Sequence, residues 1–163
     1  MLRKFPAVIS DDPEQAQAFF FPCYVLAHDH FKGALVNFYL DTGSSDVIMG
    51  ENDLKKMEIP LGSLPHTPKP IAGCGGTTVA FSLRNVRLFL TDTNGQTASF
   101  EIPEVICGRN PKQDKTKSKG LIRVIETRTI PIPSVIGRSF LRETGLIAHV
   151  DVKGSEIYLF CPA

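Results

Sequence analysis

The sequence has no excess of charge in either direction: 18 Lys and Arg stand against 17 Asp and Glu, a formal net of +1. A balance this close builds no strong field, so neither nucleic acid nor an anionic membrane surface is an expected partner. Long apolar runs are also missing. The stretch from Ala18 to Phe21 is far short of the about 20 residues that a spanning helix needs, and no charged-then-apolar leader follows Met1. The expectation is a soluble, cytoplasmic protein. Cysteines are few and scattered, at Cys23, Cys74, Cys107 and Cys161, with no CxxC pair and no histidines at zinc-ligand spacing. They read as free thiols in a reducing compartment, and no metal or other cofactor is expected. Internal repeats and coiled-coil heptads are absent as well.

What remains is strand-like. A chain of 163 residues that is 42% hydrophobic can bury one core of its own. Residues 1–17 mix Pro6 and Pro13 with Asp11, Asp12 and Glu14 and read as an N-terminal arm that orders against a partner, ahead of a domain spanning 18–163. Phe19 to Ala27 and Ala34 to Leu40, with a polar turn between them, make a first hairpin. A short strand at Val47 to Met49 and one or two helical turns over Glu51 to Met57 follow. Pro60 to Pro70 is a connector, and Ile71 to Thr77 is rich in glycine. Thr78 to Leu90 and Thr97 to Val105 form a hairpin whose Asn94-Gly95 pair supplies two positive-φ positions. Asn110 to Lys119, with Lys112, Lys115, Lys117 and Lys119 and no large apolar side chain, reads as an exposed mobile loop. A short helix over Arg138 to Glu143 and a last hairpin, Gly145 to Val152 with Glu156 to Phe160, complete an all-β, closed barrel-like domain with one or two short helices.

Among candidate chemical groups, Asp41 stands out by position. It ends the apolar strand Leu35, Val36, Phe38, Leu40, and Gly43 with Ser44 permits a tight turn that would present its carboxylate at the strand end. Asp-Thr-Gly alone is a weak signal, since an aspartate opening an ordinary Asx turn has the same composition. Asp92-Thr93-Asn94-Gly95 is interrupted by Asn94 and suits a hairpin turn better. His28 and His30 would share one face of a strand and face solvent; they lack a third ligand nearby, as do His66 and His149. No serine or thiol hydrolase signature accompanies Cys74 or Cys107.

Three segments in order resemble the retropepsin-like family of aspartic peptidases. Phe38 to Met49, holding Asp41-Thr42-Gly43-Ser44-Ser45-Asp46, is similar to its catalytic loop. Ile71-Ala72-Gly73-Cys74-Gly75-Gly76-Thr77 resembles its glycine-rich flap tip, and Pro133 to Leu141, with Val135-Ile136-Gly137-Arg138, resembles the segment ahead of its C-terminal helix. The resemblance covers about Phe19 to Phe160. It implies an acid-protease barrel with a β-hairpin flap and an endopeptidase with one catalytic aspartate, Asp41, per chain. The second carboxyl would then come from a second copy in a homodimer. It further implies that Thr42 braces the dyad, that Gly43 presents backbone to substrate, and that Ser44 donates to the carboxylate, which favours its charged form and an acidic optimum.

The same resemblance gives a cleft formed by Ile71, Cys74, Val47, Ile48, Ile132 and Val135, with Asp46 as a polar contact. Its substrate would be an extended polypeptide with hydrophobic residues at the cleaved bond. The terminal strand Glu156 to Phe160, and the arm with it, would pair with their symmetry mates.

Two departures qualify the likeness. Asp41 and Gly137 lie 96 residues apart, further than in the compact viral members, with the surplus expected in the loop at 110–119. Ser45 stands where those members usually carry an aspartate that pairs with the arginine matched by Arg138, leaving Asp46 as the substitute. The alternative is a catalytically inactive dimerisation or peptide-binding module on the same fold. Half of a two-domain enzyme would require another Asp-Thr/Ser-Gly, which the sequence lacks.

Overall fold

The computed structural model describes residues 3–9, 19–73, 76–119, 122–151 and 153–161. In chain order its strands are β1 (Arg3–Pro6), β2 (Val8–Ile9), β3 (Phe19–Ala27), β4 (Lys32–Leu40), β5 (Ile48–Gly50), β6 (Ile71–Gly73), β7 (Gly76–Thr78), β8 (Ala80–Thr91), β9 (Thr97–Gly108), β10 (Lys112–Lys119), β11 (Ile122–Thr129), β12 (Val135–Ile136), β13 (Ile147–Asp151) and β14 (Glu156–Cys161). Two short helices, α1 (Glu51–Lys56) and α2 (Arg138–Thr144), follow β5 and β12.

The period of two written into these segments decides which face turns inward. In β3, Phe21, Cys23, Val25 and Ala27 are fully buried while Tyr24 between them is exposed, and in β4 Val36 and Phe38 do the same. Six strands close into a barrel in the order β3, β4, β12, β5, β9, β8, with β8 returning to β3 through Phe89 opposite Tyr24. Closure removes the free edges that a flat sheet of this length would expose. Leu54 of α1 and Phe140 of α2 plug the interior. Phe140 meets Phe100 edge-on at 5.7 Å, and Phe100 meets Phe5 at 5.9 Å, so β1, β9 and α2 share one aromatic chain.

That chain corrects the reading of the N-terminus as an arm ordered by a partner. β1 pairs with β14 of its own chain, from Arg3 opposite Cys161 to Pro6 opposite Tyr158, and β14 in turn pairs with β13. Phe5 is only 1% exposed, and burying a phenyl ring contributes about 1.5–3 kcal/mol, ample reason for the segment to stay on its own core. Arg3 Nε donates to Asp92 Oδ2 at 2.7 Å and Thr93 N to the Lys4 carbonyl, locking β1 to the β8–β9 turn. The part of the expected arm at 10–18 lies outside the described residues.

Three other expectations change. The β8–β9 turn has one positive-φ residue, Gly95 at +76°, and not two. Asp92 Oδ1 accepts from both Asn94 N and Gln96 N, and this holds Asn94 out of the left-handed region. Residues 112–119 are no loop: β10 pairs with β11 over eight positions, because the β-branched run from Ile122 to Thr129 supplies a partner whose ladder outweighs the polar composition of β10. The surplus length is thus a hairpin reaching to Thr129. His28 and His30 sit in a 3-10 turn (His28–His30) between β3 and β4, both part-buried, and His28 Nε2 is buried without a hydrogen-bond partner.

Candidate active site

Asp41 leaves the barrel where β12 wedges between β4 and β5. Val135 stands opposite Tyr39 in a parallel ladder and opposite Ile48 in an antiparallel one. Tyr39 N donates to the Ser134 carbonyl at 2.9 Å and Asp41 N to the Ile136 carbonyl at 3.1 Å, so the backbone is fixed up to the aspartate itself. Beyond it the chain turns at once. Ser44 N donates to the Asp41 carbonyl at 3.1 Å and Gly43 N to Asp41 Oδ1 at 2.9 Å, orienting an exposed carboxylate at the end of a rigid strand.

The far side of the loop is held by α2. Arg138 N donates to the Ser44 carbonyl at 3.0 Å and Ser139 N to the Ser45 carbonyl at 2.9 Å, so the first turn of α2 satisfies its own free N–H groups on the loop. Gly137 permits this approach, because a β-carbon there would lie 2.3 Å from the Asp46 carbonyl oxygen.

Below the loop runs a buried polar brace that the sequence did not advertise. Ser134 Oγ donates to Asp53 Oδ2 at 2.6 Å and accepts from Gly50 N at 3.1 Å. Asn110 N donates to Glu51 Oε2, Asn110 Nδ2 to Asn52 Oδ1, and Ile132 N to Asn110 Oδ1. The Asn110 hydrogen bond, with Lys55 assisting, holds the Glu51 carboxyl below its ordinary range. These bonds tie the start of α1 to both ends of the β10–β11 hairpin.

An open cleft of about 240 Å³ lies against the loop that follows Asp41, lined from Gly43 onward and not by Asp41 itself. One wall is Gly43 to Asp46 with Ile48, and the other is Lys69 to Ala72 where β6 begins; Ile106 completes it. Ile48, Asp46, Ile71 and Ala72 were expected there, whereas Lys69 and Ile106 were not. Ile106 comes into place through the parallel pairing of β5 with β9, a long-range contact with no local signature. Ile132 does not line the cleft directly, but its Cδ1 and that of Ile71 crowd the same spot over Gly108, where a β-carbon would meet them at 2.8 and 2.7 Å. β6 and β7 form a hairpin, pairing Ile71 with Thr78, Ala72 with Thr77 and Gly73 with Gly76, and Ile71 and Ala72 of β6 line the cleft. Its tip, Cys74 and Gly75, lies outside the described residues.

Several expected roles change. Val47 and Val135 are 2% and 7% exposed and belong to the core, whereas Ile48, next to Val47, lines the cleft. Ser44 Oγ donates to the Asp46 carbonyl at 3.0 Å and not to Asp41, whose Oδ1 is served by a backbone N–H instead. Asp46 does not pair with Arg138. Its oxygens take Ser45 Oγ at 2.6 Å and Lys69 Nζ at 3.6 Å, while Arg138 is exposed and forms no ion pair among the described residues. Thr42 is exposed, and its hydroxyl has no hydrogen-bond partner among the described residues.

Elsewhere, Cys23 and Cys107 are buried free thiols and Cys161 is a part-buried one. No group of three or more His, Cys, Asp or Glu side chains converges among the described residues, and none of their helices is long and apolar enough to cross a membrane.

Barrel, wedge strand and helix-capped aspartate loop together make the all-β retropepsin-like acid-protease fold. The chain is similar to the crystal structure of a retropepsin-like aspartic protease from Rickettsia conorii, with a TM-score of 0.53 over 99% of this chain and 92% of that one, at 16% sequence identity. No protein-family model matches the sequence, and no curated protein does.

Proposed function

We propose that this protein is an aspartic endopeptidase that works as a homodimer, with Asp41 of each chain supplying half of the catalytic pair. The observation that carries this reading is the Asp41 loop: an exposed carboxylate, oriented by Gly43 N–H, at the end of a strand whose backbone is fixed by β12 and whose loop is clamped by α2. Such rigidity in an exposed acidic turn is what a positioned general base requires.

Peptide hydrolysis without a covalent intermediate needs one group to take a proton from water and another to donate a hydrogen bond to the carbonyl oxygen. Two carboxyls about 3 Å apart share a single proton, because both cannot be ionised, and so supply both roles. One chain offers one such loop, so the partner carboxyl belongs to a two-fold mate. In that arrangement Thr42 has a free hydroxyl with which to brace the pair, and the backbone of Gly43 faces substrate. The β6–β7 hairpin is the flap, closing an extended polypeptide against Ile48, Ile71, Ala72 and Ile106. Ile132 supports that wall through Ile71, and Asp46 with Lys69 gives it one polar, charge-paired position.

The Ser44 hydroxyl faces the Asp46 carbonyl, and Arg138 forms no ion pair among the described residues. Both favour a second reading, an inactive dimerisation or peptide-binding module. Cleavage of denatured casein across about pH 3 to 7 separates the two. The peptidase reading expects acidic activity that a statine-type transition-state analogue inhibits and Asp41→Asn abolishes. Equal inertness of wild type and variant, both folded dimers, would instead establish the module.

A further inference from the structure

A second, wider hollow of about 550 Å³ adjoins the cleft, and Ser45, Asp46 and Lys69 line both. The rest of its lining is Arg138, Ser139 and Arg142, from the start of α2. Arg138 and Arg142 stand four apart in that helix and so belong to one side of it.

The charge of this lining is one-sided. Lys69, Arg138 and Arg142 stand against a single carboxylate, Asp46, which already takes Ser45 Oγ at 2.6 Å and Lys69 Nζ at 3.6 Å. The two arginines are left over. Arg138 is exposed and forms no ion pair among the described residues, and the 81% exposed side chain of Arg142 meets its neighbour Glu143 at 3.9 Å. The backbone of α2 has no capacity to spare, since Arg138 N and Ser139 N donate to the Ser44 and Ser45 carbonyls. What can hold an anion here is the side chains: two guanidinium forks, each able to grip a carboxylate through parallel N–H donors, and the Ser139 hydroxyl. The cleft itself differs, with one charge of each sign, Asp46 and Lys69, among apolar Ile48, Ile71 and Ile106.

We infer that Arg138, Ser139 and Arg142 form a subsite for an acidic side chain of the polypeptide substrate, displaced along the chain from the cleaved bond. The inference rests on the peptidase reading. A substrate lying in the apolar cleft passes Ser45, Asp46 and Lys69, and the residues that it carries beyond them come to the arginines. Lys69 is held by Asp46, so selection falls to the arginines: a glutamate gains a charged partner, a glutamine gains less, and a lysine meets like charge.

The test uses fluorogenic peptides that share one hydrophobic cleaved core and carry Glu, Gln or Lys at a single site, moved from two to five residues away on either side. Assays run at about pH 5, where a glutamate side chain is mostly ionised. Full-length wild type should show, at one of these positions, a KM about fivefold lower for Glu than for Gln and highest for Lys, a difference that fades in about 0.5 M salt. The double variant Arg138→Gln, Arg142→Gln should lose this selectivity, and Arg142→Glu should turn it toward Lys. Each ratio is taken within one enzyme, so a general loss of fold does not produce the reversal. Equal KM for all three peptides at every position, or a Glu preference that survives in the double variant, overturns the subsite while leaving the peptidase intact. If no peptide is cleaved, the peptidase reading fails by itself. Fluorescence anisotropy of the same peptides, labelled, on Asp41→Asn chains then reads the subsite directly: Glu-selective binding that the arginine changes remove supports it, and its absence overturns it. Sedimentation closes the remaining outcome, since arginine changes that dissociate dimers without altering peptide selectivity would make the hollow a contact between copies and also overturn it.

Discussion

Gly137 lies so close beneath Asp46 that a β-carbon on it would sit 2.3 Å from the Asp46 carbonyl oxygen and 2.7 Å from that of Ser44. Both obstacles are backbone, and both belong to the loop that carries Asp41, so neither yields by rotating a side chain. Gly137→Ala should cost about 1–3 kcal/mol by overpacking and push the Asp41 loop off its position. Thermal unfolding reads the first effect and the rate of casein cleavage the second; unchanged values for both would mean that α2 slides back freely.

Ser44 tests how the carboxylate is tuned. Because its hydroxyl serves the Asp46 carbonyl, Ser44→Ala should cost about 0.5–1.5 kcal/mol of stability. The acid limb of the pH–rate profile should stay where it is. A limb that moves by a full pH unit would show that the hydroxyl reaches Asp41 in the working enzyme.

Ser134 is 1% exposed and joins Gly50 N to Asp53 Oδ2. Ser134→Ala leaves a buried N–H without its acceptor, at about 1–3 kcal/mol. Urea denaturation checks this, and a loss below about 0.5 kcal/mol, the scale of an ordinary surface change, would mean that the brace is redundant.

Asp92 links stability to pH. Arg3, by hydrogen bond, and then the N–H groups of Gln96 and Asn94 hold its carboxyl below the ordinary value of 3.8. A depressed folded value means that the stabilisation is fully present above about pH 3.8 and is lost as pH falls through that lowered value. Melting curves between about pH 5 and 2 should therefore fall less steeply for Asp92→Asn than for wild type. Parallel curves would show that the Arg3 contact is not held in solution.

Thiol reactivity should separate the cysteines. Burial pushes the Cys23 thiol far up and that of Cys107 up to about 12, the latter despite a hydrogen bond from the Leu83 backbone. The thiolate is the reactive form, so iodoacetamide at about pH 8 should spare both in the native protein, label part-buried Cys161 ahead of them and reach all four cysteines, Cys74 included, on unfolding. Peptide mass mapping would expose an error if Cys23 labelled as fast as Cys161.

Legibility followed range. The β3–β4 hairpin, α1, α2 and the last hairpin were readable because alternation and short helical spacing are carried by neighbours in sequence, and Asp41 because strand, aspartate, glycine and serine are adjacent. β10 was misread since its composition is polar, and only pairing with β11 makes it a strand. The arm was misread because nothing beside Phe5 in sequence announces the Phe100 ring that it meets.

The amino-acid sequence alone determined the inward faces of the strands and the turn that exposes Asp41, because both depend on backbone geometry over a few consecutive residues. Tertiary structure decided the rest. It threaded β12 between β4 and β5, brought Ile106 and Lys69 to the cleft, and gave the Ser44 hydroxyl to Asp46 and not to Asp41. Each of these is a choice among partners that depends on which distant segments the closed barrel brings within hydrogen-bonding or van der Waals reach.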